Sequence, residues 1–409
     1  MTHPALIHPA PSRQSLRALD GLNFFLADVR DGLGPYLAIY LLAVRGPSHG
    51  WDEATVGSVI TIAGLVGLLA QTPAGALIDR SRRRRAIIIV AALAVTLSSV
   101  ALPFVHGYVL VTATQAVASL AGAVFAPAIA AITLGLMGPR LFTPRIGRNE
   151  AFNHAGNATA AGVAALLAWS FGPVVVFWLM GVLAVLSVVA TARIKREEID
   201  DDLARGLSEA DDGHPASAWS TLLTNRPLLI FAVTAFTFHL ANAAMLTSVS
   251  QLLTRVVGKD SATSLVALCV LAAQLVMVPV AILVGRRADR WGRKPIFLAA
   301  FAVLALRGVL YTVSDNATWL LSVQALDGVG AGIFGALFPV VIADLTRGSG
   351  RFNVAQGAIA TVQGLGAALS ASLAGFIIVA EGYAFAFSTL AAIAAVGFVL
   401  YAGFMPETR

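Results

Sequence analysis

Asp28, Arg30 and Asp31 interrupt the apolar run 18–44, and His239 and Asn242 interrupt the run 227–254. A charge at the centre of a hydrocarbon layer costs about 2.5–3.5 kcal/mol on insertion scales. A cluster such as Asp28, Arg30 and Asp31 therefore needs partners or a wet cavity. Carboxylates and imidazoles are the side chains that take up and release protons most readily in a low-dielectric site. They are the groups that could couple a proton to the movement of a solute. On a helix Asp28 and Asp31 sit on neighbouring faces, whereas Arg30 lies about 200° round from Asp28 and should point to another helix. The Gly32-Leu33-Gly34-Pro35 sequence that follows should kink the run. His239 and Asn242 lie 211 positions after Asp28 and Asp31 and share their spacing. The alternative to a substrate or proton site is an ion-pair network that only locks helices together.

Further polar groups lie along the same kind of run. Glu150 and His154 are four residues apart, as are Asn153 and Asn157. On a helix this stacks polar groups in two adjacent rows. Arg307 and Asp327 are buried charges that either pair with each other or, for Arg307, reach outward along the side chain. Proton coupling is expected from Asp28, Asp31, His239, Asp327 or Glu150. A substrate cavity is expected to draw on Arg30, Asn242, Asn153, His154, Asn157 and Arg307.

The elements that hold these residues follow from composition. The 409-residue chain is 57% hydrophobic and 12% charged, against roughly 25% charged in soluble domains. Its apolar runs reach about 20 residues, the length that crosses a hydrocarbon core as a helix. Twelve spans are expected, at 18–44, 53–78, 86–106, 108–137, 149–170, 173–193, 227–254, 261–284, 295–313, 317–345, 353–380 and 383–404. The polar segment 194–226 divides them into two groups of six. Of 28 lysines and arginines, 23 fall on one side of these spans. By the positive-inside rule that side is the cytoplasm, and an even span count puts both termini there. The net charge of +6 is thus a matter of topology, and no nucleic-acid partner is expected. The lone Cys269 sits in an apolar run and forms no disulfide framework. The first residues lack the layout of a signal peptide.

The two groups of spans are copies. Gly75 to Arg85 reads GALIDRSRRRR and Gly285 to Pro295 reads GRRADRWGRKP, with Asp79 and Asp289 210 residues apart. Gln115 and Gln324 open matching small-residue runs at an offset of 209. The loop pattern Gly-x-x-x-Asp-Arg-x-Gly-Arg-Lys/Arg between the second and third spans of each half resembles the signature of the major facilitator superfamily. The first copy carries Arg82 where the second glycine stands. The resemblance implies an all-α membrane protein of twelve transmembrane helices in two pseudo-twofold-related six-helix bundles. It also implies that spans 1 and 7 line a central cavity, with sites near the midplane. In this family the loop acts as a gate. Gly75, Asp79, Arg80, Gly285, Asp289 and Arg290 are accordingly expected at a cytoplasmic gate. There Asp79 would cap span 11 near Asn353, and Asp289 would cap span 5 near Asn149, since helix N-termini favour anions. Span 5 lacks the proline of the family's drug antiporters, and Gln115 stands where many proton-coupled members have an arginine.

The domain layout expected is a tail at 1–17, bundles at 18–193 and 227–404, a linker at 194–226 and a tail at 405–409. The expected function is secondary active transport by alternating access, as proton-coupled export of a small organic molecule in the manner of efflux members. Two alternatives stand: proton-linked uptake or facilitated exchange of an organic anion, and a non-transporting sensor or scaffold on the same fold. No nucleotide loop, zinc spacing or nucleophile elbow occurs, so neither an enzyme, a cofactor nor a metal is expected. The partners expected are the substrate, protons and the lipid bilayer, for a monomer in the cell membrane.

Overall fold

The computed structural model describes residues 11–31, 37, 40–41, 51–171, 175–207 and 224–408. Its helices are α1 (Arg13–Asp31), α2 (Glu53–Arg80), α3 (Arg84–Val100), α4 (Tyr108–Gly122), α5 (Phe125–Phe171) and α6 (Val175–Arg193) in the first half. The second half contains α7 (Arg226–Val257), α8 (Lys259–Trp291), α9 (Arg293–Leu310), α10 (Ala317–Gln324), α11 (Asp327–Leu345), α12 (Phe352–Glu381) and α13 (Tyr383–Phe404). Among the described residues eight stretches are long and apolar enough to span a membrane by themselves. One of them, Tyr108–Ala164, contains two crossings that meet at Gly138. With α1, α3 and α9, whose terminal charges or shorter length keep them below that limit, the crossings among the described residues number twelve. α10 and α11 together make one crossing, as α4 does with the start of α5.

Local chemistry explains where helices begin. Asp52 accepts from the Thr55 N–H (2.8 Å) at the start of α2, and Asn225 accepts from Leu228 N–H (3.1 Å) at the start of α7. Gly292, at φ 90°, is the single residue between α8 and α9, a conformation that favours glycine.

The connection from 138 to 148 differs from expectation. Instead of a loop, Gly138 adopts φ 65° and Pro139 starts a helix that runs unbroken to Phe171. Proline is favoured in the first turn, where no N–H is required. The fifth crossing therefore begins ten residues earlier than its hydropathy indicates.

Two hydrophobic cores result. One gathers Leu19, Leu22, Ile88, Phe125 and Phe177 in the first half. The other gathers Phe231, Phe297, Phe301, Phe334 and Phe387 in the second, and also takes in Phe142 and Ile146 from α5. The segment after α6 forms two short turns, Arg196–Glu198 and Leu203–Arg205. It lies on the face that carries both loop motifs. Arg84 pairs with Asp201 (2.6 Å), Ser12 N–H donates to Glu198 (3.0 Å), and Arg293 N–H donates to Glu407 (2.8 Å). Both ends of the described chain thus share one basic face.

Candidate functional site

The halves meet along two glycine-lined crossings related by the repeat. α2 crosses α12 and α8 crosses α5. At the first crossing a Cβ on Gly75 would strike the Asn353 carbonyl, and one on Gly357 would strike the Gln71 carbonyl. At the second a Cβ on Gly147 would lie 2.5 Å from the Ala281 carbonyl, and one on Gly285 would lie 2.8 Å from the Gly147 Cα. Both glycine pairs sit 210 residues apart, Gly75 with Gly285 and Gly147 with Gly357. Small residues are what allow helix backbones to approach this closely.

At the basic end of the first crossing, Asp79 is buried and reaches the start of α12. It accepts from Val354 N–H (2.8 Å), Asn353 N–H (3.3 Å) and the Asn353 side-chain amide (2.8 Å). The same amide donates to the Ala204 carbonyl (2.9 Å), so the linker joins the latch. A carboxylate at a helix N-terminus satisfies donors that have no partner within the helix.

The matching contact at Asp289 does not form, contrary to the sequence expectation. Its carboxylate pairs with Arg293 of the next helix (2.7 Å) and remains 48% exposed. Asn149 instead donates to Thr133 (2.8 Å). The reason is the helical 139–148 segment, which places Asn149 in the helix interior with no free N-terminus to cap. The second crossing is tied in another way. Arg293 donates to Thr143 of α5 (3.2 Å) and pairs with Asp344 of α11 (3.0 Å). Sequence reading passed over Arg293, Thr143 and Asp344, although Arg293 belongs to the loop motif. Arg80 and Arg290 are exposed, so neither holds the halves together.

Deeper in the second half lies a charged network. Arg307 is 2% exposed. Its guanidinium pairs with Asp327 of α11, donates to Asn242 of α7 (2.6 Å) and touches the Met245 sulfur (3.1 Å). Gln324 donates to the other Asp327 oxygen (3.2 Å) and accepts from Tyr311. Arg307 therefore pairs rather than reaching outward. One turn from Asn242, His239 donates from Nδ1 to the Ala235 carbonyl (3.0 Å) and meets the edge of Phe334 at 4.6 Å. That leaves its Nε2 as an acceptor. The first half does not repeat this network. Leu97 and Ala118 stand near the positions that would match Arg307 and Asp327.

In the first half Asp28 is half-buried and engaged, and Arg30 is exposed in the last turn of α1 rather than packed onto another helix. The Asp31 side chain lies outside the described residues. Across the second crossing His154 bonds Gln274 of α8 at 2.8 Å, while Asn153 donates to Glu150 at 3.3 Å. Glu150 also lies 3.9 Å from the His154 ring and faces Gly335 of α11. These residues thus line the seam between the halves. Asn157, one turn on from Asn153, is engaged as well. Gln274 carried no sequence signal beyond being a polar residue in an apolar run.

A family model described as Major Facilitator Superfamily matches residues 21–287 and 258–409. The chain belongs to the Major Facilitator Superfamily. An uncharacterized MFS-type transporter of Mycobacterium tuberculosis is 55% identical over 394 residues, covering 96% of this chain and 93% of the relative. A multidrug transporter, MdtP of Bacillus subtilis, is 25% identical over 132 residues, 32% of this chain and 24% of its own. The fold is similar to that of the human organic anion transporter MFSD10 (TM-score 0.73, 16% identity, 96% of this chain and 100% of that one). It is also similar to the proton:xylose symporter XylE (TM-score 0.72, 12% identity, 97% and 96%). Within this superfamily the chain is a membrane transporter and not an enzyme.

Proposed function

We propose that the protein is a secondary active transporter working by alternating access, and that it exports a small organic molecule in exchange for protons across the cell membrane. The observation that carries this reading is the buried pair Arg307–Asp327, which binds three helices of one half around a carboxylate. A proton on Asp327 would cancel its charge and loosen its hold on Arg307, leaving a neutral acceptor. Asp28 and Asp31, both in span 1, supply further candidate acids. The Asp79 latch supports the alternating-access part, because it joins the halves on the basic, cytoplasmic face and must break for that face to open. The stretch of similarity to a multidrug transporter supports export.

A second reading has its own observation. Arg307 is a buried guanidinium, and such a group recognises carboxylates in a two-pronged fashion. Proton-linked movement of an organic anion would use the same switch, with the anion replacing Asp327 as the partner of Arg307. Proteoliposomes with an imposed pH gradient and no ATP, offered lipophilic cations and organic anions in turn, test both. Uphill accumulation of a cation or neutral compound supports export, and accumulation of anions alone favours the second reading. Fluxes that only equilibrate and ignore a protonophore would overturn proton coupling.

A further inference from the structure

A basic cavity of about 420 Å³ opens on the basic face between α1 and the start of the fifth crossing. Four arginines, Arg13, Arg17, Arg145 and Arg148, surround one carboxylate, Asp20. Asp20 is consumed by two of them. Arg148 grips it with both prongs (2.9 and 2.8 Å) and Arg145 donates to it at 2.8 Å. Among the described residues Arg13 and Arg17 have no ion pair and are exposed. Arg145 is 5% exposed, and its buried Nε has no hydrogen-bond partner. Arg145 also donates to the Leu16 carbonyl (3.2 Å), so the pocket carries an excess of positive charge whose unpaired part is Arg13 and Arg17.

The repeat shows that the fold does not require this charge. The residues 211 positions after Arg17 and Asp20 are Leu228 and Phe231, and those 210 after Arg145 and Arg148 are Ala355 and Ala358. All four are buried in the core of the second half. The same helix junction thus packs there with no ion at all. In the first half it has instead been opened into a cavity and lined with guanidinium groups.

We infer that this cavity binds the phosphodiester headgroup of an acidic phospholipid, with Arg13, Arg17 and Arg145 as its donors and Asp20 holding Arg145 and Arg148 in place. The arginine fork matches a phosphate oxygen pair, and basic pockets between membrane helices suit acidic headgroups. The walls choose between a lipid and a soluble phosphate. Leu16, Met137, Leu141 and Pro144 complete the lining, and Leu141 is 52% exposed. Apolar walls give no advantage to inorganic phosphate but match the glycerol and first methylenes of a lipid. The face also carries Arg85, which caps the end of α6 through the Thr191 and Ala192 carbonyls (3.1 and 2.6 Å).

The test uses the full chain in a neutral detergent, as wild type and as the double variant Arg13→Gln/Arg17→Gln. These two arginines make no structural ion pair, so the variant should melt with the wild type when no lipid is added. Thermal stabilisation is then titrated with phosphatidylglycerol, phosphatidylcholine and inorganic phosphate separately. Phosphatidylglycerol should stabilise the wild type at far lower concentration than phosphatidylcholine. The double variant should need about twenty-five-fold more of it, at roughly five-fold per arginine. Equal responses to the two lipids, or an unchanged titration in the variant, would overturn the site. Inorganic phosphate protecting as well as phosphatidylglycerol would overturn the lipid assignment in favour of a soluble anion. A variant that melts early without lipid makes these arginines structural and overturns the proposal too. Arg145→Lys, which keeps the charge but not the fork, should weaken phosphatidylglycerol while leaving the response to phosphatidylcholine unchanged.

Discussion

Asp79 and Asp289 occupy equivalent places in the two halves, 210 residues apart, yet only Asp79 binds across the seam. Asp79 meets a true helix start at Phe352, where N–H groups of Asn353 and Val354 are free. Asp289 has no such helix start to meet, since α5 is already continuous at Asn149, and it pairs with Arg293 instead. The basic face is therefore held by two unlike latches, a carboxylate on a helix N-terminus and a guanidinium on a threonine. Mutations at the two aspartates should not be equivalent.

Asp79→Ala removes three hydrogen bonds to α12, each charge-assisted and worth about 1.5–3 kcal/mol if left unreplaced. Water entering the seam will offset part of this. Opening of the basic face should become easier by about 1–3 kcal/mol, or roughly 5–150-fold in population. Asp289→Ala should change it by much less. Labelling rates of a cysteine placed at Thr361, read in both variants, report the difference. Equal acceleration would contradict the asymmetry.

Gly357→Ala should hinder closure of the basic face, because the new methyl group meets the Gln71 backbone and not a side chain that could move aside. Gly57→Ala, with open space around it, should leave transport unchanged. Distances between spin labels placed on the basic ends of α2 and α12 should lengthen in the first variant only.

Arg307→Ala would strand Asp327 in the membrane interior and should cost about 3–5 kcal/mol, the usual penalty for breaking a buried pair. Asp327→Asn retains a hydrogen-bond acceptor for Arg307 and should melt closer to the wild type. Replacing both with leucine should be milder than Arg307→Ala alone. Melting in detergent checks the order.

Glu198, in the segment after α6, is part of the basic face and outside the spans. Its partial burial raises the carboxyl pKa, but bonds from Ser12, Ser15 and Lys195 outweigh that and hold it below the ordinary value. A depressed pKa means the stabilisation is complete above the ordinary glutamate value and is lost as pH falls through the folded one. Protection of the amides of residues 12–16 against exchange, relative to their intrinsic rates, should therefore fall on acidification only below about pH 4.5, the ordinary glutamate value, and Glu198→Gln should lower it at neutral pH. A loss of protection between pH 7 and 6 would point to a different group.

Much of this was legible in the sequence because hydropathy and the repeat are strong signals. The twelve crossings follow from hydropathy and the shared face of the loop motifs from the repeat and charge positions, while the Asp79–Asn353 contact is what the family resemblance implies, together with the preference of helix N-termini for anions. Residues 138–148 misled because helix continuity there depends on one glycine at positive φ and a proline in the first turn, and such a pair equally marks a loop. The Arg307–Asp327 pair was one of two readings, since a lone arginine near a helix end can also reach headgroups. Arg293 could not be told from an anchoring charge, because its bonds to Thr143 and Asp344 span 150 and 51 residues.

The central claim is that solute movement is tied to protons through buried carboxylates, and substrate-evoked proton movement tests it most directly. Vesicles containing the protein and a trapped pH indicator are given a transported solute without ATP or an imposed gradient. The lumen pH should shift with the solute, and the shift should vanish in Asp327→Asn, or in Asp28→Asn or Asp31→Asn, while downhill solute exchange persists. Solute moving at full rate with no change in lumen pH would contradict the account and leave facilitated exchange in its place.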